Sequence, residues 1–286
     1  MDKKVIDLYL EYRNQRMDRR SFLKRLITLA GSTAAAVALI PLLENKLGRA
    51  QIIPEDDARL NIGYIHYPGD TEDIRAYQAS PKNHSKLPGV IVIHENKGLQ
   101  PHIEDVTRRV ALEGFMVIAP DALSPLGGSP GDSDKARSRM RELDPQSTVK
   151  NYVAAVKYLK THPQTTGKVG CMGFCWGGGV TNQVAVLSPD LTAAVPFYGR
   201  QPKSEDIPKI KAAFLCHYGE LDKRINEGIE AFEAALKANS VKYKIFVYEG
   251  AKHAFFNDTR PDRYHPEAAK MAWKRTIAFF KEELKT

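Results

Sequence analysis

The chain has 286 residues, enough for one large α/β domain plus an extra segment. Its apolar fraction of 43% suits a globular core. Of the net charge of +8, +5 sits in residues 1–50 (ten Lys/Arg against five Asp/Glu), and the remaining +3 is spread without clusters over the rest, so the charge makes no case for nucleic-acid binding.

The first predicted element is an address label. Residues 18–26, DRRSFLKRL, carry the paired arginines Arg19 and Arg20, followed by Phe22, Leu23 and Lys24. A charge-free run, LITLAGSTAAAVALIPLL (26–43), comes next, diluted by Gly, Ser, Thr and Ala. It is about long enough to span a bilayer marginally. The stretch resembles a twin-arginine (Tat) export signal. A plain transmembrane anchor or a core helix are the alternatives; the arginine pair and the modest hydrophobicity favour the signal. The small residues Gly48 and Ala50 point to cleavage before Gln51. Residues 1–50 are thus read as a leader served by the Tat export machinery, and 51–286 as the domain it delivers to the periplasm. A retained leader makes the protein membrane-anchored instead.

Beyond the leader, strands and helices alternate. Residues 60–68 and 74–80 read as two antiparallel strands. Residues 88–95, PGVIVIHE, form a continuous apolar run ending in charge, as a strand buried on both faces does. Residues 102–115 place Ile103, Val106, Val110 and Ala111 at helical spacing, with Gly114 as the stop. A strand follows at 115–121, then a Gly/Pro/Ser-rich loop at 122–138 and helices at 133–142 and 146–162. Further strands are expected at 167–174, 192–199, 211–219 and 243–250. Helices are expected from about 176, at 225–239 and at 266–284, the last with Pro266 at its start. This alternation predicts an α/β fold with a mostly parallel sheet covered by helices on both faces.

The chemistry concentrates at GFCWGGG (173–179). In such sheets, sites form at the carboxyl ends of the strands. Cys175 follows one strand and precedes a helix, in the Gly-x-nucleophile-x-Gly turn of a nucleophile elbow. Gly173 and Gly177 let strand and helix approach closely. The helix N-terminus favours a thiolate, and the Trp176 amide points toward a developing oxyanion. Asp222 falls just past the end of 211–219, and His253 just past 243–250. All three therefore share one rim of the sheet, in the order nucleophile, acid, histidine. Taken singly, a post-strand Asp reads as a helix cap and a loop His as a surface residue; their joint placement favours catalysis. His94 and His217, at strand ends, are expected to line the same rim. Neither an H-E-x-x-H motif nor paired-Cys spacing is present, so no metal is expected. Cys171, Cys175 and Cys216 form an odd set in apolar or Gly-rich contexts, with no structural disulfide expected.

These residues resemble the dienelactone hydrolase family over about 58–284. The resemblance rests on VIHENKGL (92–99), APDAL (119–123), GKVGCMGFCWGGG (167–179), FYG (197–199), GELD (219–222) and KHAF (252–255). It implies an α/β-hydrolase fold and a triad of Cys175, Asp222 and His253. It also implies that Glu95 contacts the resting thiol and moves when substrate binds. It makes the Asn96 amide a second oxyanion donor beside Trp176. The family's arginine four residues after the histidine, which helps clamp a substrate carboxylate, is here Asn257; Arg200 and Arg260 are candidates to replace it.

The reaction expected is hydrolysis of a small ester or lactone through a Cys175 thioester, with His253 as base and Asp222 orienting it. It requires no organic or metal cofactor. The protein is read as a monomer or small homo-oligomer. The alternatives on the same fold are a non-hydrolytic thiol redox or sensor protein, with Cys171 as resolving thiol, and a non-catalytic binding domain. An intact Asp222 and His253 argue against both.

Overall fold

In the computed structural model, which describes residues 2–13, 17–47, 52–82 and 86–285, the apolar run 26–43 is not one helix. The chain divides into two units, Met1–Gln51 with Asp258–Arg260, and Ile52–Asn257 with Pro261–Thr286. Among the described residues the first unit contains three helices, α1 (Lys3–Arg13), α2 (Arg19–Ala30) and α3 (Thr33–Leu47). Asp18 caps α2 by accepting from the Ser21 amide. Gly31 ends that helix in the left-handed conformation, φ 79°, where its N–H reaches the Ile27 carbonyl. The Ser32 hydroxyl then accepts from the Ala35 amide and starts α3. The axes bend by 112° at this break. Among the described residues no single helix is long and apolar enough to cross a membrane; the bent pair fits one by length and composition alone. Val5, Leu8, Tyr9, Phe22, Leu26 and Leu43 are buried in this unit. The expected cleavage point, with Gly48, Ala50 and Gln51, lies outside the described residues.

The second unit is built on an eight-stranded sheet. Its strands are β1 (Leu60–Pro68), β2 (Asp73–Pro81), β3 (Leu87–Ile93), β4 (Met116–Pro120), β5 (Thr165–Phe174), β6 (Ala193–Phe197), β7 (Ala213–Gly219) and β8 (Tyr243–Tyr248), in the order β1-β2-β4-β3-β5-β6-β7-β8. β2 runs antiparallel to both β1 and β4, and every other pairing is parallel. The central strands are apolar throughout because each face meets helices. On β3, Val90 and Val92 join one core while Ile91 and Ile93 join the other. The expectation of a mostly parallel sheet with an antiparallel entry therefore holds.

The helices of this unit are α4 (Pro101–Leu112), α5 (Ser133–Arg139), α6 (Pro145–Thr161), α7 (Trp176–Leu187), α8 (Lys223–Asn226), α9 (Ile229–Ala238) and α10 (Pro266–Glu283). The helix expected over 225–239 is two pieces. The chain breaks at Glu227–Gly228, and a Cβ at 228 would lie 2.5 Å from Gln201 Oε1. The consequence for the site is that a short helix, α8, starts directly after Asp222.

Candidate active site

β5 ends at Phe174 and α7 begins at Trp176, leaving Cys175 alone on the turn with φ 57° and ψ −113°. A side chain in that region costs about 1–3 kcal/mol and persists where the surroundings enforce it. Here the Cys175 amide donates to the Phe197 carbonyl at 3.0 Å, tying the turn to β6. The two flanking glycines are required by contact. A Cβ at Gly173 would sit 2.2 Å from the Gly177 carbonyl oxygen, and one at Gly177 would sit 2.4 Å from the His94 carbonyl oxygen. Strand and helix could not meet at this distance with any larger residue. Among the described residues four non-glycine residues have positive φ. Two of them, Cys175 and Tyr198, line one cavity, and a third, Ala254, follows its lining residue His253.

The structure brings together the three predicted triad residues. Asp222 occupies the N-cap position of α8 but makes no side-chain cap bond. Its carboxylate instead meets His253 Nδ1 at 2.5 Å, with side-chain exposures of 7% and 23%. The carboxylate is thus spent on His253 and not on the amides of α8. Burial pulls the His253 imidazole down, but Asp222 and then Cys175 outweigh it and hold it up to about 9. With Nδ1 engaged by Asp222, the ring has Nε2 left for the thiol.

The cavity over Cys175 has a volume of about 450 Å³, within the usual range for small-molecule sites. Cys175, Trp176, Tyr198 and His253 are among its lining residues. Met140, Leu143, Pro145 and Val149, from the α5–α6 connection and the start of α6, give it an apolar wall. Asn96 also lines it. Trp176 is the first residue of α7, so its amide has no intrahelical acceptor. Arg200 and Arg224 line the cavity, and no acidic side chain among the described residues does. Arg224 was not anticipated. Its signal was its place two residues after Asp222, in the first turn of a helix that the sequence pattern started later.

The remaining predicted residues lie as follows. Arg260 belongs to the short stretch grouped with the first unit and does not line the cavity. His94 and His217 are fully buried and do not line it either. His217 bonds Thr276 Oγ1 at 3.0 Å and the Tyr248 hydroxyl at 2.9 Å. Burial, with the nearby Arg275, pushes it down to about 3 and keeps it neutral. Glu95 lies two residues past β3, and its Oε2 accepts from Asn257 Nδ2 at 2.8 Å. The residue that stands at the expected arginine position thus engages Glu95. Cys171 is buried on β5 against the Thr181 hydroxyl, and burial pushes its thiol up to about 12. It is a poor resolving thiol for Cys175. Cys216 is buried, its thiol also pushed up by burial.

The chain is similar to known proteins over most of its length. A family model described as "Dienelactone hydrolase family" matches residues 74–284. A "Putative carboxymethylenebutenolidase" of Escherichia coli (strain K12) is 34% identical over 247 residues, covering 81% of this chain and 90% of the relative. "Protein usf" of Aquifex pyrophilus is 39% identical over 220 residues, covering 74% and 94%. Among solved structures, a "Putative Dienelactone Hydrolase" from Klebsiella pneumoniae subsp. pneumoniae MGH 78578 superposes with a TM-score of 0.71 at 32% identity, covering 78% of this chain and 98% of that one.

Proposed function

The chain belongs to the dienelactone hydrolase family, enzymes of the α/β-hydrolase fold that act on carboxylic esters, and we propose that it cleaves small esters or lactones through a thioester on Cys175. The observation that carries this is the Asp222 carboxylate, spent on His253 rather than on its own helix. The Cys175 proton passes to His253 Nε2, and the thiolate attacks the carbonyl carbon. The amides of Asn96 and Trp176 receive the negative oxygen. Collapse expels the alkoxide, which takes the proton from His253. Water, deprotonated by His253, then attacks the thioester, and the thiolate leaves with the acid as second product. A thiolate is itself a good leaving group, so esters suit this site better than amides. The decisive experiment is active-site titration with a p-nitrophenyl ester. A burst of about one leaving group per chain, with its acyl group on Cys175, is the expected result. No burst, or an acyl group elsewhere, removes the reading.

The substrate class follows from the lining. An apolar wall faced by Arg200 and Arg224, with no acidic side chain among the described residues lining the cavity, suits a hydrophobic acyl or leaving group that bears a carboxylate. Replacing both arginines by alanine is expected to raise KM for a carboxylate-bearing ester about tenfold while a neutral ester of the same size changes less than about twofold. Equal changes for the two esters would disconnect the arginines from substrate charge.

The leader is proposed to direct export through the Tat machinery to the periplasm, on the strength of the Arg19–Arg20 pair and the Phe22–Leu23–Lys24 that follows. The receptor reads guanidinium groups, so Arg19→Lys with Arg20→Lys should hold the protein in the cytoplasm although charge is unchanged. Cell fractionation checks it. Undiminished export of the double variant would mean another route.

A further inference from the structure

His94 is fully buried just past the end of β3 and does not reach the cavity, yet it touches both segments that carry the proposed oxyanion donors. Its Nε2 lies 3.1 Å from the Ala122 amide. An amide N–H can only donate, so Nε2 accepts and the proton of the neutral ring sits on Nδ1. Nδ1 donates to the Glu95 carbonyl oxygen at 2.7 Å. Burial pushes this imidazole down against the pull of Asp121, which agrees with a neutral ring. The same ring stacks on the Trp176 indole, with centroids 5.4 Å apart and planes 15° from parallel.

The Glu95 carbonyl and the Asn96 N–H belong to one planar trans peptide and point in opposite directions. Fixing one fixes the other. Asn96 is exposed and outside any strand or helix; with the carbonyl released, rotation of that peptide would carry the N–H away from the cavity. We propose that His94 is a positioning residue of the oxyanion hole, aiming the Asn96 amide through the Glu95 carbonyl and bracing Trp176 by stacking. This rests on the hydrolytic reading of Cys175. His94 touches no substrate, so its effect falls on the step in which charge develops on the carbonyl oxygen and not on binding.

The test compares two reactions of one thiol. Acylation by p-nitrophenyl acetate builds an oxyanion. Alkylation by iodoacetamide forms a C–S bond, expels iodide and builds none. The measured quantity is the ratio of the two rate constants at Cys175, each normalised to titrated thiol. His94→Phe keeps a ring beside Trp176 and removes the donor; His94→Leu serves if the larger ring does not fold. Either is expected to lower the ratio about 10- to 100-fold, with KM for the ester nearly unchanged. His94→Asn keeps an N–H donor near the place of Nδ1 and should restore most of it. An unchanged ratio in the apolar variant, or a ratio as low in His94→Asn, overturns the proposal. Failure of the underlying reading looks different: Cys175→Ala would then keep the acylation burst, whatever His94 does.

Discussion

Cys175→Ala is expected to lower ester hydrolysis by roughly a hundred-thousandfold to a millionfold, the scale on which a triad loses its nucleophile. The loss is that large because Cys175 is the only thiol that lines the cavity among the described residues. The other two thiols are buried, Cys171 on β5 and Cys216 on β7, and burial pushes both up. Cys171→Ala and Cys216→Ala should therefore keep activity within about tenfold of wild type, the cost being one of packing. Mass spectrometry of a quenched burst reads the result directly, with an acyl adduct on 175 in wild type and none in Cys175→Ala. Comparable losses from all three substitutions would point to folding damage and withdraw Cys175 as nucleophile. Alkylation of the same thiol tests the reading of Glu95 as a gate on it. A carboxylate near the sulfur disfavours a thiolate, so Glu95→Gln should speed iodoacetamide alkylation at neutral pH. Superimposable alkylation rates would leave Glu95 the Asn257-bonded structural residue that its 2.8 Å contact describes.

What could be read before the structure was whatever local pattern determines. The buried strands announce themselves because β3 and β4 meet helices on both faces and tolerate no polar residue. The elbow is legible because Gly173 and Gly177 are forced by backbone contacts that no other residue survives. Asp222 and His253 were legible by position, since a residue just past a parallel strand falls on the same rim as Cys175. The misses depend on contacts that periodicity does not encode. Gly31 and Gly228 each divide a run whose apolar spacing looks continuous, and capping at Ser32 and packing at Gln201 decide the breaks. Residues 140–149, which wall the cavity, follow a Gly/Pro/Ser-rich stretch whose path over the sheet no periodicity encodes. His94 and His217 looked like rim residues because they stand at strand ends. Their ring nitrogens are instead consumed by Ala122, Glu95, Thr276 and Tyr248, partners 1 to 59 residues away. Arg260 and Arg200 were indistinguishable as cations in the sequence, and only Arg200 lines the cavity.

The second large effect falls on Asp222. Its carboxylate, 2.5 Å from His253 Nδ1, holds a proton on that nitrogen, so that in the neutral ring Nε2 is the atom left to accept the thiol proton in the proposed mechanism. Asp222→Asn places an amide there. When its nitrogen donates to Nδ1, the ring adopts the other tautomer, with a proton on Nε2 that blocks transfer from Cys175. Turnover is expected to fall roughly a thousandfold to ten-thousandfold, with KM near wild type. The substitution also reads out in the absence of substrate. Burial pulls His253 down, and Asp222 and Cys175 together hold it up to about 9, above the ordinary value of about 6.5. A group whose folded pKa is raised binds its proton more tightly in the native state. Its contribution to stability is fully present below about pH 6.5 and is lost as pH rises through about 9. Wild-type Tm should therefore carry a decline over that window that belongs to His253. In Asp222→Asn the first upward pull is gone, burial weighs more heavily, and the imidazole titrates lower. The decline over that window should then shrink, and the His253 midpoint, followed by NMR, should move down. A midpoint that stays near 9, together with turnover within about tenfold of wild type, would take Asp222 out of the site and return it to the helix cap that its place ahead of α8 suggests.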